Sequence, residues 1–225
     1  MRGELAGAVI KDIDAGMPKP EEEAAEAKPL HLVVGHCVDE SGSEREKARF
    51  PDVTAERAYD LLRAEIESVC DENEDVHVLA SAAPGADILA LEICGELGFG
   101  CTMCLPMPPD VFASKVFGNL HEWHRRFMDL RDADTPVLQL SDREGVSRWL
   151  RQVGIDPWDR GNRWVMKLAE TWGAKRVSLI ALWDEDEAAG TTGGTAQMVA
   201  LAKAAGNIRI HVVNSKELLQ TTDVR

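Results

Sequence analysis

The sequence lacks long hydrophobic runs and is sparing with cysteine. No apolar stretch approaches the roughly 18 consecutive residues that a membrane helix needs, and the N-terminus has no basic start followed by an apolar segment. The five cysteines are an odd number, spread thinly over 225 residues. A chain of this size does not need disulfide staples, so we expect reduced thiols and a cytoplasmic protein.

Positive charge is also scarce. Lys and Arg total 25 against 39 Asp and Glu, which gives a formal net charge of -14. Basic residues adjoin only in pairs, such as Arg125 with Arg126 and Lys175 with Arg176. A surface of this kind repels polyanions, so we expect no nucleic acid and no membrane as partner. A small anion held by backbone amides is compatible with this composition.

Residues 1–28 differ from the rest of the chain. They are rich in Pro, Ala and Glu, and they have no apolar period. This composition predicts a flexible acidic linker or tail, with a short docked helix over 4–13 as the alternative. Residues 29–225 then form the folded domain.

From residue 30 onward, apolar runs of strand length alternate with segments of helical period. This alternation is typical of βα units that feed a parallel sheet, and runs that are apolar on both faces indicate helices on both sides. We therefore predict an α/β fold, a Rossmann-like three-layer sandwich with a mostly parallel sheet of about six strands. The predicted strands are 30–35, 76–80, 101–105, 136–140, 177–183 and 208–213, and the predicted helices are 54–70, 86–97, 109–130, 157–172 and 194–205.

Ligands of open parallel sheets bind outside the carboxyl ends of the strands, so the turns there hold the candidate site. Gly35 and His36 follow the first predicted strand. The second strand is followed by small residues that allow a ligand to approach the backbone, with an aspartate in the first turn of the next helix. The candidates in this second turn are Ser81, Ala82, Gly85 and Asp87. The alternative interpretation is a tight turn with a capping Asp.

The turn after the fifth strand is the strongest candidate. An acidic stretch, 184–187, leads into a Gly/Thr-rich helix start, where glycines permit positive φ and backbone amides with threonine hydroxyls can surround a phosphate. The segment is not a P-loop, because no Gly-Lys-Ser/Thr follows, and it is not a Gly-x-Gly-x-x-Gly fingerprint. The candidate ligand-binding residues here are Gly190, Thr191, Thr192, Gly193, Gly194 and Thr195.

Cys101 and Cys104, followed by His121 and His124, suggest a zinc site. Residues three apart on a strand point to opposite faces, and a helical His pair would have to reach back across the sheet. We therefore expect core cysteines, no metal and no cofactor.

Four tryptophans cluster between residues 149 and 172, where core packing is the usual role of such side chains. Asn162 lies beside Arg163 and Trp164 near a predicted helix start, and we take it as a further candidate contact to a ligand. No serine lies in a nucleophile elbow, so no catalytic residue is assigned.

Together these turns resemble the SLOG superfamily, the Rossmann-like group that contains the lonely-guy cytokinin-activating enzymes and the DNA-processing protein A domains. The resemblance spans about residues 30 to 214 and rests on segments 33–36, 80–87 and 190–199. It is similar above all to bacterial members found beside signalling and defence modules. The resemblance implies a nucleotide or nucleotide-derived ligand against the two glycine turns.

Phosphoribohydrolase members carry the motif Pro-Gly-Gly-x-Gly-Thr-x-x-Glu, which supplies a phosphate cradle and a catalytic glutamate. Here Gln197 or Met198 takes the place of that glutamate, and Cys37 stands where many relatives have an arginine. The resemblance therefore implies binding more strongly than hydrolysis.

Three functions stay open on this sequence. The first is a ligand-binding sensor or regulatory domain, tied by its linker to a fused or separate effector. The second is an enzyme that cleaves the N-glycosidic bond of a nucleotide, with Asp87, Glu92 or Glu122 as the carboxylate. The third is an assembly module that forms a homodimer, the commonest closed symmetry. The missing glutamate favours the first.

Overall fold

A computed structural model of the chain describes residues 28–39, 48–70, 75–186 and 193–219. The predicted linker therefore lies outside the described residues, except for Lys28. Within the described ranges, six parallel strands form one sheet in the order β4-β3-β2-β1-β5-β6. Their bounds are β1 Leu30–Gly35, β2 His77–Ala80, β3 Gly100–Leu105, β4 Val137–Gln139, β5 Val177–Trp183 and β6 Arg209–Asn214. The predicted α/β, Rossmann-like class is confirmed.

Seven α-helices connect these strands in the described part of the chain. They are α1 Ala55–Val69, α2 Ala86–Leu97, α3 Pro109–Val116, α4 His121–Asp132, α5 Arg148–Gln152, α6 Pro157–Thr171 and α7 Thr195–Ala205. None of them is both long and apolar enough to cross a bilayer. Among the described residues, two short 3-10 helices, Asp52–Thr54 and Ser215–Leu219, precede α1 and follow β6, respectively.

One helix prediction is wrong. The segment 109–130 forms two helices, because the chain turns at Gly118, where φ is +45°, before α4 begins. The break allows Phe117 to be buried against Phe127, with ring centroids 5.2 Å apart. The five-residue helix α5 was not predicted, since its sequence has no sustained apolar period.

Helices cover both faces of the sheet because connections run in opposite directions from its centre. Right-handed crossovers that step from β1 toward β4 and from β5 toward β6 must place their helices on opposite faces. Side chains of α1, α2 and α4 share one buried cluster with Val33 and Ile180. Side chains of α6 and α7 share the other with Leu32 and Leu179.

This alternation separates the two cysteines of the suspected zinc pattern. Cys101 packs against the first cluster, whereas Cys104 belongs to the second. The two thiols therefore lie on opposite faces of β3 and cannot bind one metal ion together, as the strand geometry predicts.

A buried histidine lies between the sheet and α1. His31 is fully buried on β1, its Nδ1 has no hydrogen-bond partner in the described part of the protein, and its Nε2 lies 3.9 Å from Cys70 Sγ. Burial, followed by the charges of Arg176 and His211, lowers the pKa of His31 to about 4.

We expect this histidine to make the fold sensitive to acid. Its folded pKa lies below the ordinary value of 6.5, so the unfolded chain binds more protons between those values and stability is lost as pH falls from 6.5 toward 4. At pH 5, the loss of folding free energy that this histidine causes is about 1–2 kcal/mol relative to neutral pH. Urea unfolding at pH 7 and pH 5 should show a smaller loss for His31→Gln than for wild type. An equal loss in both proteins would contradict the prediction.

Candidate functional site

A cleft of about 290 Å³ opens at the carboxyl edge of the sheet, above β1 and β5. These neighbouring strands send their connections in opposite directions, one toward β2 and the other toward β6. Diverging connections leave a crevice between them, and this is where ligands bind in open α/β sheets. The turns after β1, β2 and β5 all contribute residues to the cleft.

The structure brings most of the predicted ligand-binding residues to this cleft. Two predicted residues do not line it: Ala82 is buried in the core, and Gly85 packs against the loop after β1. Gly190, Thr191 and Thr192 lie outside the described residues. The predicted residues that line the cleft are Gly35, His36, Ser81, Asp87, Asn162, Gly193, Gly194 and Thr195.

Asp87 fixes the floor of the cleft. It is 5% exposed, and its carboxylate accepts hydrogen bonds from the Ser81 hydroxyl and from the backbone N–H groups of Gly35, Ser81 and Ala83. Burial raises the pKa of Asp87 to about 6, against the opposing effect of these hydrogen bonds. The side chain thereby joins the end of β1 to the turn after β2.

Two glycines allow these turns to approach each other. A Cβ at Gly35 would lie 2.3 Å from Ala86 Cβ, so a side chain there would push α2 away from β1. Gly85 has a φ of +124°, and a Cβ there would lie 2.5 Å from the His36 carbonyl oxygen. The loop after β1 crosses at this point, where the Val38 N–H donates to the Pro84 carbonyl at 2.9 Å. Gly85 is therefore required by the scaffold.

His36 connects the turns after β1 and β5. It is 4% exposed, and its Nε2 lies 3.2 Å from the backbone nitrogen of Asp184 and 3.1 Å from Asp184 Oδ1. Burial and then the positive charge of Arg49 lower the pKa of His36. A neutral ring accepts the Asp184 N–H through Nε2, so His36 holds the start of the acidic loop above the cleft.

The two glycines before α7 have different roles. Gly193 has a φ of +90°, and a Cβ there would lie 2.3 Å from Trp158 Cβ. Gly194 has a φ of -96° and a ψ of -178°, which any residue adopts. Gly193 therefore uses the positive φ that glycine permits, whereas the backbone at Gly194 is extended.

Gln197 holds this glycine turn in place. Its Oε1 accepts from the Gly193 N–H at 2.9 Å and from Asn162 Nδ2 at 3.0 Å, while its Nε2 donates to the buried carboxylate of Asp159. Asn162 Nδ2 also lies 3.3 Å from the Gly194 carbonyl oxygen. Both halves of the Gln197 amide are thus engaged, and the network ties the start of α6 to the start of α7.

Of the three carboxylates proposed for catalysis, only Asp87 lines the cleft. Glu92 is paired with Arg126, whose Nε lies 2.8 Å from Glu92 Oε1. Glu122 is paired with Arg125 on the exposed side of α4. Both of these glutamates stabilise helix surfaces away from the site.

Sequence reasoning missed several cleft residues, and Arg49 is the most informative. It lines the cleft from the far end of the loop that follows β1. Asp39 Oδ2 accepts the backbone N–H groups of Arg49 and Phe50, both at 2.8 Å. These hydrogen bonds bring the end of the loop back to the cleft, and no local sequence pattern predicts them.

The opposite wall of the cleft is apolar. Trp158 and Phe112 meet edge to face with ring centroids 5.9 Å apart, and both line the cleft. Trp158 comes from α6, in the connection after β4, and Phe112 comes from α3, in the connection after β3. The sequence prediction placed no ligand contacts at these two residues. Further apolar lining comes from Pro106, Val116, Val165 and Met198.

Comparison with known proteins gives a weak likeness. No protein-family model matches the chain, and no curated protein matches it significantly. Among solved structures, DNA processing protein A from Streptococcus pneumoniae is similar at 15% identity and a TM-score of 0.38. The alignment covers 85% of this chain and 60% of that one, so the chain spans less than two thirds of that protein's length. Likeness at this level does not indicate what the cleft binds.

Proposed function

We propose that the protein is a SLOG-type domain that binds a nucleotide or nucleotide-derived ligand in the cleft above β1 and β5. One observation carries the proposal: a cleft at the divergence of these strands contains the N-terminus of α7 together with the preceding glycines. The first N–H groups of a helix have no partner within it and carry partial positive charge, so they attract phosphate.

The cleft combines a helix N-terminus with an apolar aromatic wall, and these two parts fit the phosphate and the base of a nucleotide. The phosphate would lie at Gly194 and Thr195, because the Gly193 N–H already donates to Gln197, and the base would lie against the wall formed by Trp158 and Phe112. Aromatic rings provide a large flat contact for a base. The volume is near the lower end for small-molecule sites, so a mononucleotide fits better than a dinucleotide.

We infer a sensor or regulatory role in preference to catalysis. Gln197 or Met198 takes the place of the glutamate in the resembling hydrolases, and the Gln197 amide is already used in holding Gly193 and Asn162. Neither Gln197 nor the buried Met198 supplies a carboxylate. A bound nucleotide would then act by changing how the domain engages a fused effector, a partner or a second copy in signalling or defence.

A thermal-shift panel tests ligand binding. Nucleoside monophosphates, cyclic nucleotides and NAD are added to the full chain at up to millimolar concentration. A ligand at a hundred times its Kd stabilises the native state by about 2.7 kcal/mol, which raises the Tm of a chain of this size by about 5–10 °C. Calorimetry should then give a stoichiometry of one per chain. An unchanged Tm with every compound contradicts the proposal.

The alternative activity, cleavage of an N-glycosidic bond, has one observation in its favour. Asp87 lines the cleft, and burial raises its pKa to about 6, which suits a proton-transfer group near neutral pH. Incubation with nucleoside monophosphates and NAD, followed by chromatography, would release free base in wild type and none in Asp87→Asn. Absence of free base with a ligand that binds by calorimetry leaves the regulatory function.

A further inference from the structure

We propose that Arg49 binds the anionic group of the ligand and makes the cleft selective for phosphorylated nucleotides over uncharged nucleosides. The inference rests on the proposed function and adds the residue that recognises the ligand's charge. The positive charge does not come from the first turn, where Cys37 occupies the position in which many resembling proteins have arginine. Arg49 would bring the same charge from the other end of the loop.

The charge distribution of the cleft supports this role. Among the described residues that line it, Arg49 has the one permanent positive charge. Asp87 also lines it, but its carboxylate is directed to the Ser81 hydroxyl and to backbone N–H groups. Asp186 is exposed. In a chain with a net charge of -14, an arginine inside the cleft marks the place where an anion is attracted.

The guanidinium has unused hydrogen-bonding capacity. Its Nε is buried without a hydrogen-bond partner, and Arg49 makes no ion pair within the part of the chain that the structure describes. Its positive charge contributes to lowering the pKa of both His36 and Asp184. A buried polar group without a partner is uncommon in proteins. Guanidinium binds phosphate with a fork of two parallel hydrogen bonds, so a phosphate in the cleft would use this capacity.

The backbone of Arg49 is fixed before any ligand arrives. Asp39 Oδ2 accepts the N–H of Arg49 and that of Phe50, and the Asp39 N–H donates to the Phe50 carbonyl at 2.8 Å. Phe50 is fully buried, with its ring 6.1 Å from that of Trp123. Asp39 is thus a positioning residue for Arg49, and less conformational entropy is lost when the arginine binds an anion.

The test compares AMP with adenosine by calorimetry in wild type, Arg49→Gln, Arg49→Lys and the control Arg125→Gln. Arg125 lies on the surface of α4 in ion pairs with Glu122 and Asp129, so its replacement changes the net charge equally without touching the cleft. We expect Arg49→Gln to weaken AMP binding by about 10- to 100-fold and to leave adenosine binding unchanged. The AMP affinity of Arg49→Lys should lie between those of wild type and Arg49→Gln, and the AMP affinity of Arg125→Gln should match that of wild type.

A second measurement separates this inference from the proposed function. Inorganic pyrophosphate is titrated while the His36 ring is followed by NMR, because an anion on Arg49 removes the positive charge that lowers the His36 pKa. The pKa of His36 should rise in wild type and stay constant in Arg49→Gln. A response to pyrophosphate without nucleotide binding would reject the proposed function but keep the anion site. Unaltered AMP affinity in Arg49→Gln, or no response to pyrophosphate, overturns the inference about Arg49.

Discussion

Replacing Asp87 with alanine is expected to lower the free energy of unfolding by about 2–3 kcal/mol. The carboxylate is the shared acceptor for the Ser81 hydroxyl and for the N–H groups of Gly35, Ser81 and Ala83. Alanine would leave these donors at the floor of the cleft with no acceptor from the side chain. Buried donors without partners carry the full desolvation penalty, so the turns after β1 and β2 would separate or admit water.

Two further variants identify which part of Asp87 matters. Asp87→Asn keeps the shape and one acceptor oxygen, so it should be less destabilised than Asp87→Ala. Ser81→Ala removes one donor together with its hydrogen bond and should lose only about 1 kcal/mol. Urea unfolding at pH 7, with far-UV circular dichroism as the probe, gives all three values. A loss below 1 kcal/mol in Asp87→Ala would show that the carboxylate does not hold the turns.

The pH dependence of the same group gives a second readout. Because the folded pKa of Asp87, about 6, lies above its ordinary value of 3.8, the folded state binds more protons between these values. The component of stability that comes from this proton uptake is therefore fully present below pH 3.8 and is lost as pH rises through 6, whereas the hydrogen bonds that join the two turns contribute separately. Asp87→Asn lacks this component, so its stability relative to wild type should increase between pH 4 and pH 7.

Much of the fold follows from local sequence. β1, β5 and α2 begin and end at the predicted residues, because their apolar patterns are bounded by strong signals. Gly98, for example, ends α2 in the left-handed conformation with a φ of +72°. The location of the cleft also follows, since parallel strands place their carboxyl ends along one edge and ligand sites form there.

The remaining cleft residues depend on contacts between distant segments. Arg49 reaches the site because Asp39 binds its backbone across ten residues, and Trp158 reaches it because α6 packs over the start of α7. Neither contact has a periodic or motif signal. The roles of Gln197 and Asn162 were equally hidden, because the absence of a glutamate at 197 or 198 indicates lost catalysis and not a new hydrogen-bonded support.

The glycine turn before α7 shows why sequence cannot separate neighbouring glycines. Glycine permits positive φ at both Gly193 and Gly194, yet of these two residues only Gly193 adopts it. Gly193 packs against Trp158, whose Cβ and carbonyl carbon would lie 2.3 Å and 3.1 Å from a Cβ at Gly193. The glycine turn therefore packs against the start of α6.

We therefore expect Gly193→Ala and Gly194→Ala to differ strongly. In Gly193→Ala the added Cβ would strike the first turn of α6, including the Asp159 backbone nitrogen at 3.2 Å, and these atoms cannot rotate away as a side-chain end would. Strain at φ +90° and this overlap together should lower the free energy of unfolding by about 2–4 kcal/mol and displace the amides proposed to bind phosphate.

Gly194→Ala should stay within about 1 kcal/mol of wild type, because its backbone conformation suits any residue. Comparison of the two variants by urea unfolding measures the backbone requirement, and AMP titration of whichever variants are folded measures its effect on the ligand. A folded Gly193→Ala should bind AMP at least about tenfold more weakly than Gly194→Ala, since the loss of even one charge-assisted hydrogen bond to phosphate has that effect. Equal stability of the two proteins would mean that the turn does not pack on Trp158. If the two variants differ in stability but bind AMP equally well, the glycine turn supports α6 and the phosphate binds elsewhere in the cleft.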